Sequence, residues 1–237
     1  MTNPLTTSST STPDSMPRPA ILSLCDRTGV MARPWAEAGY DCVCVDTAHS
    51  IRRDRVETVG QGSISYVWGD VLDYFPAPEI LPRVRFVSAF PPCTDLAGSG
   101  ARDWERKGPG RLARGLALVS AVHRVCLAAE SHGAAWMIEN PVGRLATAWR
   151  PADHTFDPYE FADYAGDPAS EAYTKRTCLW TGGGFVMPDP RAVVPVLGSL
   201  MHTLAPSGDR ADLRSATPSG FARAVYLANR DRVALAA

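Results

Sequence analysis

A cysteine that directly follows an apolar run and two prolines is the most chemically informative position in this sequence: Phe90-Pro91-Pro92-Cys93 closes the stretch VRFVSAF. Proline fixes φ and removes a backbone donor, so Pro91 and Pro92 hold Cys93 in a rigid, exposed turn at a strand end. A thiol presented in that way is a candidate nucleophile, whereas an inert packing cysteine, the competing reading, needs no such setting. Glu139-Asn140-Pro141 follows the apolar run AWMI in the same manner. An acid beside a buried strand requires a partner or a task, so Glu139 is the matching acid–base candidate. Arg176, in the segment YTKRTC, offers a cation, although Lys-Arg pairs are commonly solvated surface.

A second group suits a nucleoside. The turn DRTG, containing Asp26 and Gly29, follows the strand-like run ILSL, and Asp46 ends the run CVCVD. A turn of small residues lets the backbone approach a ligand, and a carboxylate at the next strand end can accept both ribose hydroxyls. Both features also occur in α/β proteins that bind nothing.

The elements that must position these groups alternate along the chain. ILSL, the turn CDRTGV, a helix with Pro34 near its start, a stop at Gly39 and the strand CVCVD form a βαβ unit. The reading continues with a third strand, ISYVWG, ending at Asp70, and a fourth, VRFVSAF, leading into PPCTDLAGSGAR. From about residue 111 to 131, Leu112, Leu116, Val119, Val122 and Cys126 recur at helical spacing, and Gly133 precedes the strand AWMI. A closing helix is expected from Thr217, as a possible cap, and Pro218 to about Asn229. Such alternation predicts an α/β fold, a mainly parallel sheet with helices on both faces, whose ligands bind where loops leave the carboxyl ends of the strands.

A chain of 237 residues, 45% hydrophobic and 21% charged, can bury a full core and fits one domain. Residues 1–19 are rich in Ser, Thr and Pro and are expected to form a disordered tail, with residues 20–237 as the single domain. The six cysteines show no CxxC pair and read as reduced thiols; Cys42 and Cys44, alternating with Val43 and Val45, should pack on one side of a strand. No metal site, membrane span or secretory leader is expected, which places the protein in the cytoplasm, with no obligate protein partner evident. The formal net charge of −1 provides no overall electrostatic case for a nucleic-acid partner, leaving only a local basic patch.

In their order along the chain, these motifs resemble the cytosine carbon-5 DNA methyltransferases, in particular short DNA-methylase-like proteins of phages and bacteria with a reduced target-recognition region. The resemblance spans roughly residues 20–182, with a fainter match near 215–229. It implies a Rossmann-like fold dependent on S-adenosyl-L-methionine. Gly29 matches the second glycine of the family's Phe-x-Gly-x-Gly turn, with Arg27 at the first. Asp46 matches its ribose-binding acid, and Gly69-Asp70-Val71 looks like the pair that holds the adenine. Pro92-Cys93 is similar to the catalytic Pro-Cys, Glu139-Asn140 to the Glu-Asn motif, and Arg176 to the first arginine of Gln-x-Arg-x-Arg. Thr174 and Cys178 stand at the glutamine and second-arginine positions.

The resemblance therefore implies Cys93, Glu139 and Arg176 as catalytic, Asp26, Gly29, Asp46 and Asp70 as cofactor-binding, and Pro92 and Asn140 as substrate-binding residues. The expected substrate is cytosine in DNA, flipped out of its stack. Residues 183–214 would be a minimal recognition region, with Arg191, His202, Arg210 and Arg214 as its candidates, and Arg102, Trp104, Arg106 and Lys107 would add stacking and backbone contacts. The alternatives are the same chemistry on RNA or a free cytosine nucleotide, and a non-catalytic DNA- or cofactor-binding relative. A redox thiol protein is disfavoured because Cys93 has no nearby resolving cysteine in the sequence.

Overall fold

The computed structural model describes residues 17–199 and 217–230. Its strands are β1 (Ala20–Leu24), β2 (Asp41–Asp46), β3 (Arg55–Val59), β4 (Gly62–Trp68), β5 (Val84–Ala89), β6 (Ala135–Pro141), β7 (His154–Phe156) and β8 (Thr177–Gly182). The helices are α1 (Arg33–Glu37), α2 (Trp104–Glu130), α3 (Leu145–Ala148) and α4 (Ser219–Asn229). The strands form one eight-stranded sheet in the order β3-β4-β2-β1-β5-β6-β8-β7. Strands β4, β2, β1, β5 and β6 run parallel, while antiparallel pairings join β3 to β4, β8 to β6 and β7 to β8.

Both faces are covered, as the alternation requires. α2 lays Val119, Val122, Val125, Cys126 and Ala129 against Leu22, Leu24, Val87 and Ile138 on one face. On the other, α1 with the turn before it and α4 bring Met31, Trp35, Phe221 and Val225 against Ile21, Cys42, Cys44, Phe86 and Met137. Burial on both sides explains why AILSL has no polar–apolar alternation and is buried at every position. Cys42 and Cys44 share one face, as expected.

Several expectations need correction. Arg18 and Pro19 belong to the fold, not to a tail: the Pro19 carbonyl accepts the Asp41 amide at 2.9 Å and the Arg18 carbonyl accepts Arg83 Nε at 2.8 Å. Residues 1–16 lie outside the described residues. The strand ISYVWG is the fourth in the chain, because RVETV precedes it as β3 in a hairpin. α2 begins at Trp104 and kinks at Gly108, ahead of the periodic stretch. Its Gly108–Glu130 part is long and apolar enough to cross a membrane by length and composition. Here one side of it is buried on the sheet. α4 is not capped by Thr217; Pro218 is its N-cap residue, and the Glu171 carboxylate accepts the Ser219 amide (2.6 Å), the Ser219 hydroxyl (2.7 Å) and the Gly220 amide (2.9 Å).

The chain fills the sheet from β1 through β2 towards β4, then crosses back to β5 and β6. The order reverses between β1 and β5, and a crevice outside the carboxyl ends of strands at such a reversal is the standard ligand site of open α/β sheets.

Candidate active site

A cleft of about 670 Å³ opens at this reversal, within the range of small-molecule sites (roughly 300–1,000 Å³). The turn after β1 supplies Cys25, Asp26, Arg27 and Thr28; β2 supplies Asp46; the loop after β5 supplies Phe90, Pro91, Pro92, Cys93 and Thr94. The end of β6 adds Glu139 and Pro141, and the approach to β8 adds Lys175 and Arg176. Groups far apart in sequence thus meet because all of them stand at the same edge of the sheet, after parallel strands or just before the antiparallel β8.

Under the cleft lies a buried polar brace. Ser23 and Ser88, opposite each other on β1 and β5, approach to 2.9 Å, and the Ser23 hydroxyl donates to Asp26 Oδ2 at 2.7 Å. Asp26 Oδ1 accepts the amides of Thr28 (3.0 Å) and Gly29 (2.8 Å) and the Thr28 hydroxyl (3.1 Å). Asp26 therefore shapes the turn. Gly29 sits at φ +71, and a Cβ there would lie 2.7 Å from the Tyr66 hydroxyl, so both backbone and space demand glycine. Cys25, also left-handed at φ 55, lines the cleft. Its thiol is pushed up to about 12, first by burial and then by the carboxylates of Asp46, Asp70 and Asp26. Three carboxylates therefore stand around the Cys25 thiol, with Arg27 on the same turn. Asp46 Oδ1 accepts the Ala48 amide at 2.7 Å, and Asp70 Oδ1 the Leu72 amide at 3.0 Å. Asp70 flanks the site and is not among the cleft-lining residues.

At the other end, Pro92 and Cys93 face the cleft while Asn140 is buried beneath them, its amide nitrogen donating to the Pro91 carbonyl at 2.8 Å. Asn140 positions the proline–cysteine loop; it does not line the cleft. The Cys93 carbonyl accepts the amides of Leu96 (2.9 Å) and Ala97 (2.8 Å), starting a turn tied to the segment after β6 through Gly98 to Val142 and Arg144 to Leu96, each 2.8 Å. Gly143 permits this approach, since a Cβ there would run into the Leu96 carbonyl. Cys93 is thereby fixed relative to Glu139. Burial pushes the Glu139 carboxyl above the usual carboxylate range, with the Lys175 ammonium pulling against it.

Arg176 lines the cleft but its guanidinium is engaged, donating to Asp157 Oδ2 at 3.2 Å and Thr155 Oγ1 at 2.7 Å. Thr174 donates to the Gly198 carbonyl at 3.2 Å, and Cys178 is buried in β8. Trp104 is covered by the Arg144 guanidinium, 4.6 Å from its ring, so one of the expected stacking faces is taken. Arg191 lies over Tyr164 at 4.6 Å, while His202, Arg210 and Arg214 fall outside the described residues. Residues assigned no part in the site from sequence are Cys25, Asp157, Lys175 and Thr217, the last read there only as a helix cap. Lys175 was legible only as half of a Lys-Arg pair; its position opposite Glu139 depends on β8 running antiparallel to β6, with Thr177 beside Pro141.

No family model matches the chain, and no curated protein matches it. Among solved structures, the chain is similar to one described as a "putative DNA modification methyltransferase encoded within prophage" from E. coli, at 15% identity and a TM-score of 0.37, covering 69% of this chain and 46% of that one. The chain thus spans under half the length of that protein.

Proposed function

We propose that this protein transfers a methyl group from S-adenosyl-L-methionine to carbon 5 of a cytosine in DNA, with Cys93 as covalent nucleophile. The observation that carries the reading is the convergence, on one cleft at the sheet's topological reversal, of a proline-held thiol, a half-buried carboxyl and a strand-end acid.

The residues present fit the cofactor. Asp46 ends β2 beside the cleft, where a carboxylate can accept ribose hydroxyls, and the carboxylates around Cys25 suit a cationic sulfonium. When bound, S-adenosyl-L-methionine supplies an electrophilic methyl group. Asp46 would hold its ribose and Asp70 its adenine, with Gly29 and Asp26 keeping the turn beneath it in shape.

At the opposite end, carbon 5 of cytosine is too poor a nucleophile to react unaided. Addition of the Cys93 thiolate to carbon 6 makes the ring enamine-like and places electron density on carbon 5. Glu139, whose burial favours the protonated form, donates to ring nitrogen 3 as the sulfur–carbon bond forms and accepts from the exocyclic amine. After carbon 5 is alkylated, its proton leaves to a base, the carbon 5–carbon 6 double bond re-forms and Cys93 departs as thiolate.

The test is incubation with methyl-labelled S-adenosyl-L-methionine and, separately, DNA, RNA and cytidine nucleotides. Label on carbon 5 of cytosine in DNA is expected. Label confined to RNA or nucleotides moves the substrate assignment, and label in none of them refutes the reading.

A further inference from the structure

A cation and a carboxyl at the Cys93 end of the cleft have been left without a hydrogen-bonding partner. Glu139 and Lys175 both line the cleft, and both also line a small adjoining recess, together with Phe90 and Thr217. Among the described residues neither side chain makes a hydrogen bond or an ion pair, although the Lys175 charge acts on the Glu139 carboxyl. An ammonium and a carboxyl on one partly buried wall, each with its hydrogen-bonding capacity intact, are arranged for a third group that satisfies both.

The cause lies in Asp157. Its side chain, mostly buried, accepts the Lys175 amide through Oδ1 at 2.7 Å and Arg176 Nη1 through Oδ2 at 3.2 Å. One carboxylate thus fixes the backbone at residue 175 and draws the neighbouring guanidinium aside, where Thr155 takes its second nitrogen. Arg176 is exposed and engaged, and Lys175 is half-buried and available. Adjacent cations have been given different work.

We infer that Lys175, and not Arg176, is the cation that contacts the target base, its ammonium donating to the ring carbonyl oxygen while Glu139 serves the adjacent ring nitrogen and exocyclic amine. This assignment rests on the proposed reading that a cytosine ring occupies this end of the cleft. Cytosine presents along one edge an acceptor oxygen, an acceptor nitrogen and a donor amine. Lys175 supplies a donor, and a protonated Glu139 supplies a donor and an acceptor, so the three ring groups are matched in order. As the thiolate adds and charge builds on the ring, a cation at the carbonyl oxygen strengthens its hold.

The test uses the full chain and the variants Lys175→Met, Lys175→Arg and Arg176→Met, with two readouts. The first needs no substrate: the Glu139 carboxyl is titrated by NMR with ¹³C-labelled glutamate. Lys175→Met should move that titration to higher pH, and Arg176→Met should leave it in place. The second compares methyl transfer to oligonucleotides carrying cytosine or 2-thiocytosine, in which sulfur replaces the acceptor oxygen. The unaltered protein should lose about tenfold or more in rate with the sulfur analogue, the size expected for one hydrogen bond from a charged donor. Lys175→Met should be slow on cytosine and indifferent to the exchange, Lys175→Arg should recover part of the rate, and Arg176→Met should still discriminate. An unmoved Glu139 titration in Lys175→Met, or discrimination lost in Arg176→Met and kept in Lys175→Met, overturns the assignment. Absence of methyl transfer by the unaltered protein refutes the proposed function and the base contact with it, while the titration still decides whether Lys175 faces Glu139.

Discussion

At the residue scale, the two carboxylates that matter most have opposite surroundings. Asp46 stands at a strand end, receiving the Ala48 amide and facing the cleft. On the proposed reading, Asp46→Ala weakens S-adenosyl-L-methionine binding by about 1–3 kcal/mol, the range for hydrogen bonds to a charged acceptor, as calorimetry would measure. Unchanged affinity would remove the pocket assignment. Glu139 lies in a desolvating wall that raises its carboxyl above the ordinary range. The folded state therefore keeps a proton that the unfolded chain releases, and stability falls as pH rises from the ordinary carboxylate value towards the raised one. Glu139→Gln carries no such charge. Its stability advantage over the unaltered protein should grow through that window and then level off, and on the proposed reading its methyl transfer drops; urea unfolding between about pH 4 and 8 checks the first. A difference independent of pH would mean that Glu139 pays nothing for ionisation. Asp26 differs from both, because its oxygens are taken by Ser23, Thr28 and Gly29. Strand-end position marked it as a ligand group, and only the hydrogen bonds reveal a brace.

At the element scale, the strands buried on both faces were legible and the peripheral ones were not. β1, β2, β5 and β6 announce themselves as apolar runs because helices cover both of their sides. RVETV reads as charged and unremarkable since β3 is an edge strand with a single partner and largely exposed positions. β7 has three residues, too few for any periodicity. The N-terminus of α4 was misassigned for a related reason: its cap comes from Glu171, far away in sequence, and no local pattern encodes it. Glu171→Ala should cost about 1–2 kcal/mol, the range for losing a helix cap, whereas Thr217→Ala should change stability little. Denaturant unfolding of the two variants decides between them. The antiparallel entry of β8 likewise escaped the sequence, and with it the meeting of Lys175 and Glu139.

At the scale of the whole molecule, one cleft brings Asp46, Cys93 and Glu139 together, while the described part of the segment expected to read a sequence is largely tied to the fold. Residues 183–199 are bound to the body of the protein, through Val193 to Tyr159 (3.0 Å) and Leu197 to Ala172 (3.0 Å), and Arg191 is spent partly on Tyr164. Direct readout needs several side chains in a groove, each good bidentate contact giving roughly 1–3 kcal/mol of discrimination. A DNA substrate should therefore be methylated at a short or loosely defined site, and bisulfite sequencing of DNA from expressing cells would show it. A long, strictly defined site would contradict this. The central claim, that Cys93 attacks a cytosine ring, has a more direct test. Fluorine at carbon 5 cannot leave as the proton does, so the enzyme should remain bonded to its substrate. Incubation with S-adenosyl-L-methionine and DNA containing 5-fluorocytosine, followed by denaturing mass spectrometry, is predicted to yield a covalent adduct mapped to Cys93 and absent from Cys93→Ser. Methylation of ordinary cytosine with no adduct, or an adduct on a different residue, would contradict the account.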